Sequence, residues 1–349
     1  MLRIFYLSFT CIVLTFSSVR TEAQNNALFP VTVKGKTGYI NEQGKVIVNP
    51  QYDEGWEFSE GLAPVRIGNK WGYINHRGRI VIKPQFFQAM NFKEGLASVG
   101  VFYAGERVID SRVGYYGYID KTGKLISKMK LGVAFDFSDG VAQVLTEDSK
   151  HCLLSKSGRI VFCQKDPSTE DLFDDSASVK TLGNQPKNGI AYINKSGKLI
   201  IGPTLRWGIK YSEGLACVSG VDGAGFIDLN GNHVISPQFE GCGNFSEGLA
   251  AVTIGRKIGF IDRTGTIATQ PQFDETRPFS DGIASVRIGN MWGYIDRKGT
   301  MIIPPQFIET GDFRNGVARV NIDTKIVEDG GVKWAYINQA GKIIWKSER

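Results

Sequence analysis

The chain has 349 residues, with 41 Lys and Arg against 35 Asp and Glu, and carries a formal net charge of +6 at pH 7. So mild an excess, with no Lys/Arg block, argues against nucleic acid as a partner. Its 42 glycines against 12 prolines, with aromatic and β-branched residues throughout, suit many short strands joined by turns.

The chain opens with Arg3, an apolar run over residues 4–16, and the small-residue string Thr21-Glu22-Ala23. This reads as a secretory signal peptide over 1–23, cut near Ala23. The apolar run falls short of the roughly 20 residues a membrane-spanning helix needs. Phe9 and Thr10 before Cys11 are too bulky for a lipoprotein site. The expectation is an exported chain, periplasmic, cell-surface or extracellular, with a single domain over 24–349 and no membrane span in the mature part.

From there the sequence repeats itself. Gly-Tyr/Phe-Ile-Asn/Asp-x-x-Gly returns at Gly38, Gly72, Gly117, Gly225, Gly259 and Gly293, with looser copies from Leu153, Ala191 and Ala335. The basic period is 34 residues, as from Gly38 to Gly72, a length at which one supersecondary unit is stacked many times. In the copy from Gly61, Leu62-Ala63-Pro64-Val65-Arg66-Ile67 alternates like a half-buried strand. Gly68-Asn69 is a turn, and Lys70-Trp71-Gly72-Tyr73-Ile74 is a second strand. Asn75-His76-Arg77-Gly78 turns again, and a third strand ends at Pro84. The linker that follows holds either a fourth short strand or one helical turn. Modules begin near residues 28, 62, 96, 141, 176, 215, 249, 283 and 317. The fold expected is all-β: about nine three- to four-stranded antiparallel meanders, propeller-like, with an open β-solenoid array as the alternative.

The recurring residues have structural explanations. Asn41, Asn75, Asp120, Asn194, Asp228, Asp262, Asp296 and Asn338 sit where a side chain bonds the backbone two residues on. Glu60, Glu94, Asp139, Glu213, Glu247 and Asp281 occupy one repeated turn, as turn or cap residues rather than paired catalytic acids. Phe58, Phe92, Phe137, Tyr211, Phe245, Phe279 and Phe313 form an inter-module core series. Of five cysteines, Cys11 leaves with the signal peptide. Cys152 and Cys163 flank a four-residue turn, Ser155 to Gly158, which would set Cys152 opposite Val161 and diagonal to Cys163. A disulfide there is plausible in an oxidising compartment; Cys217–Cys242, across neighbouring units, is the weaker pairing. None of the spacings resembles a zinc site.

Lys70-Trp71-Gly72-Tyr73-Ile74-Asn75 and Met291-Trp292-Gly293-Tyr294-Ile295-Asp296, with Pro-Gln-Phe/Tyr at Pro50, Pro84, Pro237, Pro271 and Pro305, resemble the bacterial WG-repeat family. The resemblance runs from about Leu28 to Trp345. It departs where Thr37, Tyr116 and Ile258 replace the Trp, and over residues 153–190. It implies an all-β, propeller-like fold with binding or scaffolding roles and no shared catalytic residues.

Function is expected where the copies differ. The longer modules carry their extra residues between the first and second strands, and the longest insertion spans 101–116. Insertions confined to one edge of an array often build a binding face. Phe102, Tyr103, Arg107, Arg112, Tyr115 and Tyr116 form the candidate binding loop, since aromatics with arginines suit a glycan, a peptide or an anionic group. The last insertion holds Asp323, Glu328, Asp329 and Lys333. His76, His151 and His233 occupy unrelated unit positions, and there is no GxSxG, HExxH or phosphate loop. The expected function is therefore a non-enzymatic binding or scaffold protein of the cell envelope, its partner a protein or glycan there. No catalytic residue, metal or cofactor is expected. A glycan- or peptidoglycan-binding lectin-like protein is the alternative, and an envelope hydrolase stands behind it.

Overall fold

The computed structural model describes residues 27–101, 114–126, 130–138, 140–163, 178–181, 189–193, 199–205, 207–209, 211–323 and 333–347. Among them every regular element is a strand, and each sheet is an antiparallel meander taken in chain order. Module 1 spans 28–52 and module 2 spans 54–86. Modules 3 to 9 span 88–120, 131–163, 178–205, 207–239, 241–273, 275–307 and 309–346. Modules 3 and 4 share one seven-stranded sheet, joined by the pairing of Tyr116 with Leu131.

The linker resolves as a short strand, and it belongs to the module that follows. Glu54–Gly55 pairs with Arg66 and Val65 of the strand Leu62–Ile67. Leu62–Ile67 then pairs in full register with Lys70–Asn75 across Gly68-Asn69, with Gly68 at φ 63. The third strand, Ile80–Phe86, slips twice: Ile74 faces Ile80, Tyr73 faces Ile82, and Trp71 faces Phe86. The second slip crowds Lys83 and Pro84 against Gly72. A Cβ on Gly72 would lie 2.5 Å from the Ile82 oxygen and 2.7 Å from the Pro84 nitrogen. The repeated Gly is therefore required by a β-bulge, and the repeated Pro fits there because a bulge leaves its missing N–H unneeded. Gly38, Gly225, Gly259 and Gly293 meet the same crowding.

Modules 4 and 9 put Leu153 and Ala335 at this position. Their third strands, Ile160–Cys163 and Ile343–Lys346, are shorter and slip once. Module 5 is the exception: Ala191 lies within a double slip, with Gly202 in the facing strand. In module 3 the third strand shrinks to a single bridge between Ile119 and Leu125.

Where burial is described, the middle strand of a module is buried on both faces, because its two sides face neighbouring modules. Lys70–Asn75 buries four consecutive residues, Trp71 to Ile74. One face of module 2, with Leu62, Tyr73 and Ile82, packs on Ala97, Val99 and Ile119 of module 3. A ring pair marks the junctions: Tyr39–Phe58, Tyr73–Phe92, Tyr118–Phe137, Phe226–Phe245, Phe260–Phe279 and Tyr294–Phe313, with centroids 4.8–5.0 Å apart. Where the first ring is Tyr, its hydroxyl donates to a carbonyl of the next module, as Tyr73 does to Met90 at 2.8 Å. Such a pair adds about 0.5–1.5 kcal/mol beyond simple burial.

The last module makes the corresponding contact with the first. Val317 and Tyr336 pack on Phe29, Val31 and Ile40. Tyr336 donates to the Pro30 carbonyl at 2.9 Å. Other modules have Ala at the position of Phe29, as at Ala63 and Ala97. The Phe29 ring stands 5.7 Å from that of Tyr336, taking the part that a linker Phe plays elsewhere. The array therefore returns on itself, which corrects the open-solenoid alternative: module 1 presents an apolar face matched to module 9.

Gly72→Ala should cost roughly 1–3 kcal/mol, as overpacking against backbone does. Gly243→Ala, whose Cβ would come no nearer than 3.6 Å to Ala251 among the described residues, should cost clearly less. Thermal melting of the two variants checks this; equal losses would contradict the bulge explanation.

Candidate functional site

The two ends of the strands have different work. At one end sits the acidic turn. Glu60, Glu94, Glu213, Glu247 and Asp281 adopt left-handed backbone with φ of 51–53°. Each carboxylate accepts the amide of the glycine that opens the next module: Gly95, Gly140, Gly248, Gly282 and Gly316, at 2.7–3.0 Å. Lys121, Lys156, Arg263 and Arg297 of those next modules pair with four of the same carboxylates. Ser59, Ser212, Ser246 and Ser280 donate to the carbonyls of Phe92, Phe245, Phe279 and Phe313. The acidic series is thus turn and cap at once, and its caps fasten each module to its successor. The sequence period reveals these residues but not that their partners lie in the next copy.

The carboxylates with shifted titration are also held by local structure. A hydrogen bond from Thr122 lowers Asp120, backbone amides such as that of Asn232 lower Asp228, and one from Thr264 lowers Asp262. Lys36 and Lys257 lower Asp53 and Asp274. Tyr39, Tyr73, Tyr118, Tyr294 and Tyr336 are pushed up by burial at the junctions, and Tyr211 is pushed up to about 12 by the same cause. His76 is lowered by desolvation and stacks on Phe58 at 4.2 Å.

The other end carries the hairpins between first and second strands. The long insertion leaves Leu96–Val101 and returns on Tyr115–Asp120, with Val101 facing Tyr115. Phe102, Tyr103, Arg107 and Arg112 lie outside the described residues. Tyr115 and Tyr116 are strand residues at the base of the hairpin, not loop residues, because the ladder extends to Val101. The Tyr116 hydroxyl donates to Gln88 Oε1 at 2.6 Å, and its ring meets Phe87 edge-on at 5.7 Å. Phe87 lies across Gly100 and Gly114, where any Cβ would collide with its ring. Lys130 Nζ stands 4.7 Å from the Tyr115 ring centre, and the Tyr115 hydroxyl donates to Glu147 in the next module's hairpin at 3.2 Å. The sequence reading missed Phe87, Lys130 and Glu147, which come from connecting segments elsewhere in the chain. In module 9, Asn321 faces Trp334, and the Asp323 carboxylate accepts the Lys333 amide at 2.7 Å, closing the base of that insertion. Glu328 and Asp329 lie outside the described residues.

Cys152 is disulfide-bonded to Cys163 with Cα atoms 4.1 Å apart, and Cys217 to Cys242 at 5.9 Å. The first pair is directly cross-strand. Leu154 faces Ile160 and Leu153 faces Phe162, so Val161 is bulged out and Cys152 faces Cys163 rather than Val161. The second pair ties module 6 to module 7. Among the described residues no three His, Cys, Asp or Glu side chains gather as metal ligands, and no helix is long and apolar enough to cross a membrane.

The family model for the WG containing repeat matches residues 38–71, 71–101, 116–149, 191–223, 225–257, 258–292 and 292–325. Its windows run from the middle strand of one module toward that of the next, so each straddles two modules. Among solved structures, the chain is similar to one described as a crystal structure of the eukaryotic initiation factor, of propeller type. The TM-score is 0.61 at 8% identity over 92% of this chain and 95% of that one, a likeness of fold. BamB from Moraxella catarrhalis aligns at TM-score 0.34 and 13% identity over 69% of this chain and 77% of that one. PorZ of Porphyromonas gingivalis aligns at 0.33 and 9% identity over 90% and 44%. No curated protein matches.

Carboxylates with depressed values, such as Asp228 and Asp262, stabilise the fold above the ordinary carboxylate range, and that contribution is lost as pH falls through their lowered values. The melting temperature should therefore hold through mild acid and fall below about pH 4. Asp262→Asn, which copies Asn41 and Asn75, should fold and show a smaller fall; an unchanged acid profile would contradict this assignment.

Proposed function

The chain belongs to the WG-containing-repeat family, and from that premise we propose that it is an exported, non-enzymatic binding or scaffold protein of the cell envelope. The observation that carries the reading is the division of labour between the two strand ends. The acidic-turn end is occupied by module-to-module fastening. The hairpin end holds the insertions, and the longest rises from a bed of Phe87, Tyr115 and Tyr116 beside Lys130 and Glu147. Rigid aromatics beside charged groups are what a recognition surface uses. Export is supported by the N-terminal pattern and by two disulfides, which persist in oxidising compartments. A non-enzymatic role is supported by the shifted carboxylates, each of which a turn, cap or lysine pair explains.

Pull-down from an envelope extract and a glycan array, each run with residues 24–349 and with the same chain lacking 104–112, test the proposal. Retention of a defined envelope protein or glycan by the full chain, reduced at least tenfold by the deletion, is the expected result. Capture that survives the deletion unchanged would remove the hairpin face from the reading.

A further inference from the structure

Module 7 is hollow where its counterparts are filled. In module 2 four large side chains gather toward the hairpin end of the sheet. Glu54 pairs with Arg66 at 3.1 Å, and Trp56 meets Trp71 edge-on with ring centres 5.5 Å apart. Module 8 repeats the arrangement: Glu275 pairs with Arg287, and the Arg277 guanidinium lies 5.6 Å from the centre of the Trp292 ring. In module 7 Gly241 faces Thr253, as Glu54 faces Arg66 and Glu275 faces Arg287. Ile258 faces Thr253 from the middle strand, as Trp71 faces Arg66 and Trp292 faces Arg287. Gly243 stands two residues past Gly241, where Trp56 and Arg277 stand in their modules. All four positions are cut back together, and a cleft of about 540 Å³ opens among them, a size within the range of ligand sites.

Gly241, Gly243, Thr253 and Ile258 all line this cleft, and Ser219 and Thr276 join them from the modules on either side. Cys242 in its wall is fixed by the bond to Cys217. The Glu240 carboxylate is taken up by the amides of Gly255 and Arg256, at 2.8 and 3.2 Å. No Lys, Arg or His is among the described residues that line the cleft, so its walls suit an uncharged occupant. The filled counterparts give the shape of that occupant. Each holds an indole with a second flat group against it, an indole in module 2 and a guanidinium in module 8. Gly243 is not imposed by crowding as Gly72 is, since a Cβ there would make only ordinary contact with Ala251 at 3.6 Å. Val221, two residues beyond Ser219 in the module 6 hairpin, is 79% exposed, the highest value for a large apolar side chain among the described residues. An exposed apolar side chain beside a neutral cleft suits a protein surface.

We propose that this cleft is an anchor site for a partner protein, which inserts a tryptophan side chain where module 7 lacks the rings that modules 2 and 8 supply for themselves. Tryptophan serves as an interface anchor because its ring buries a large rigid area while its N–H finds an acceptor. Here the Thr253 and Thr276 hydroxyls offer that acceptor, and Ile258 and Ala251 the apolar contact. The cleft lies four modules from the longest insertion and does not depend on it.

The test titrates residues 24–349 with N-acetyl-tryptophanamide, followed by saturation-transfer NMR. Saturable binding, about tenfold tighter than that of N-acetyl-leucinamide, is the expected result. Gly243→Trp combined with Ile258→Trp rebuilds the ring pair of module 2 and should weaken binding about tenfold. Gly243→Met, which copies Met90 of module 3, should weaken it about threefold and keeps the test decisive where the double variant fails to fold. No saturable binding, or equal affinity for the unaltered chain and the folded variants, would overturn the proposal. Tighter binding of methyl N-acetyl-β-glucosaminide than of the tryptophan amide would overturn it in favour of a sugar. Loss of binding on deleting 104–112 would overturn it by moving the site to the long hairpin, whereas unchanged binding supports the cleft whatever becomes of that hairpin.

Discussion

Everything in this molecule depends on one contact made again and again: an aromatic ring on the middle strand of one module against a Phe of the next. No single meander could bury both faces of a strand such as Lys70–Asn75; a neighbour on each side is required. The Tyr hydroxyl adds a directional bond to the next module, and the acidic turn adds a second at the end of the strand. Stability is therefore shared among neighbours, and the terminal modules are the ones at risk. Packing of module 9 on module 1 through Tyr336, Phe29 and Pro30 removes that risk by giving both ends a neighbour.

Such an arrangement leaves the repeated residues little freedom for chemistry. The carboxylate of Glu247 already holds the Gly282 amide and meets Arg297. The buried tyrosines already donate. What remains for recognition is whatever escapes the period, above all the hairpins that outgrow it. Cys217–Cys242, between modules 6 and 7, reinforces one junction covalently away from the longest of them.

Residues whose role is local or strictly periodic were legible in the sequence. The turn Asn and Asp residues, the Phe series and the three long strands follow from alternation and spacing alone. The role of Gly72 was not, because it depends on how far the third strand slips, and a slip leaves no mark on the residue it crowds. Module membership of Glu54–Gly55 was equally hidden, since two residues carry no periodicity. A single bulged residue, Val161, decided the register of Cys152 and Cys163. Phe29 did carry a signal, a large ring where the other copies have Ala, but its meaning needed module 9 beside it. The bed at the base of the long hairpin joins Tyr115 and Tyr116 to Phe87, Lys130 and Glu147 from other segments, which no reading of residues 101–116 could gather.

Closure is the claim on which the rest stands, and a distance across the seam tests it most directly. Gly44 of module 1 lies against Ile344 of module 9. Spin labels at the nearby exposed positions Gln43 and Lys342 should therefore lie within roughly 20–30 Å by double electron–electron resonance, one sheet spacing of about 10 Å plus the label arms. A distance of roughly 80 Å, which nine sheets stacked in an open line at about 10 Å each would impose, would contradict the account.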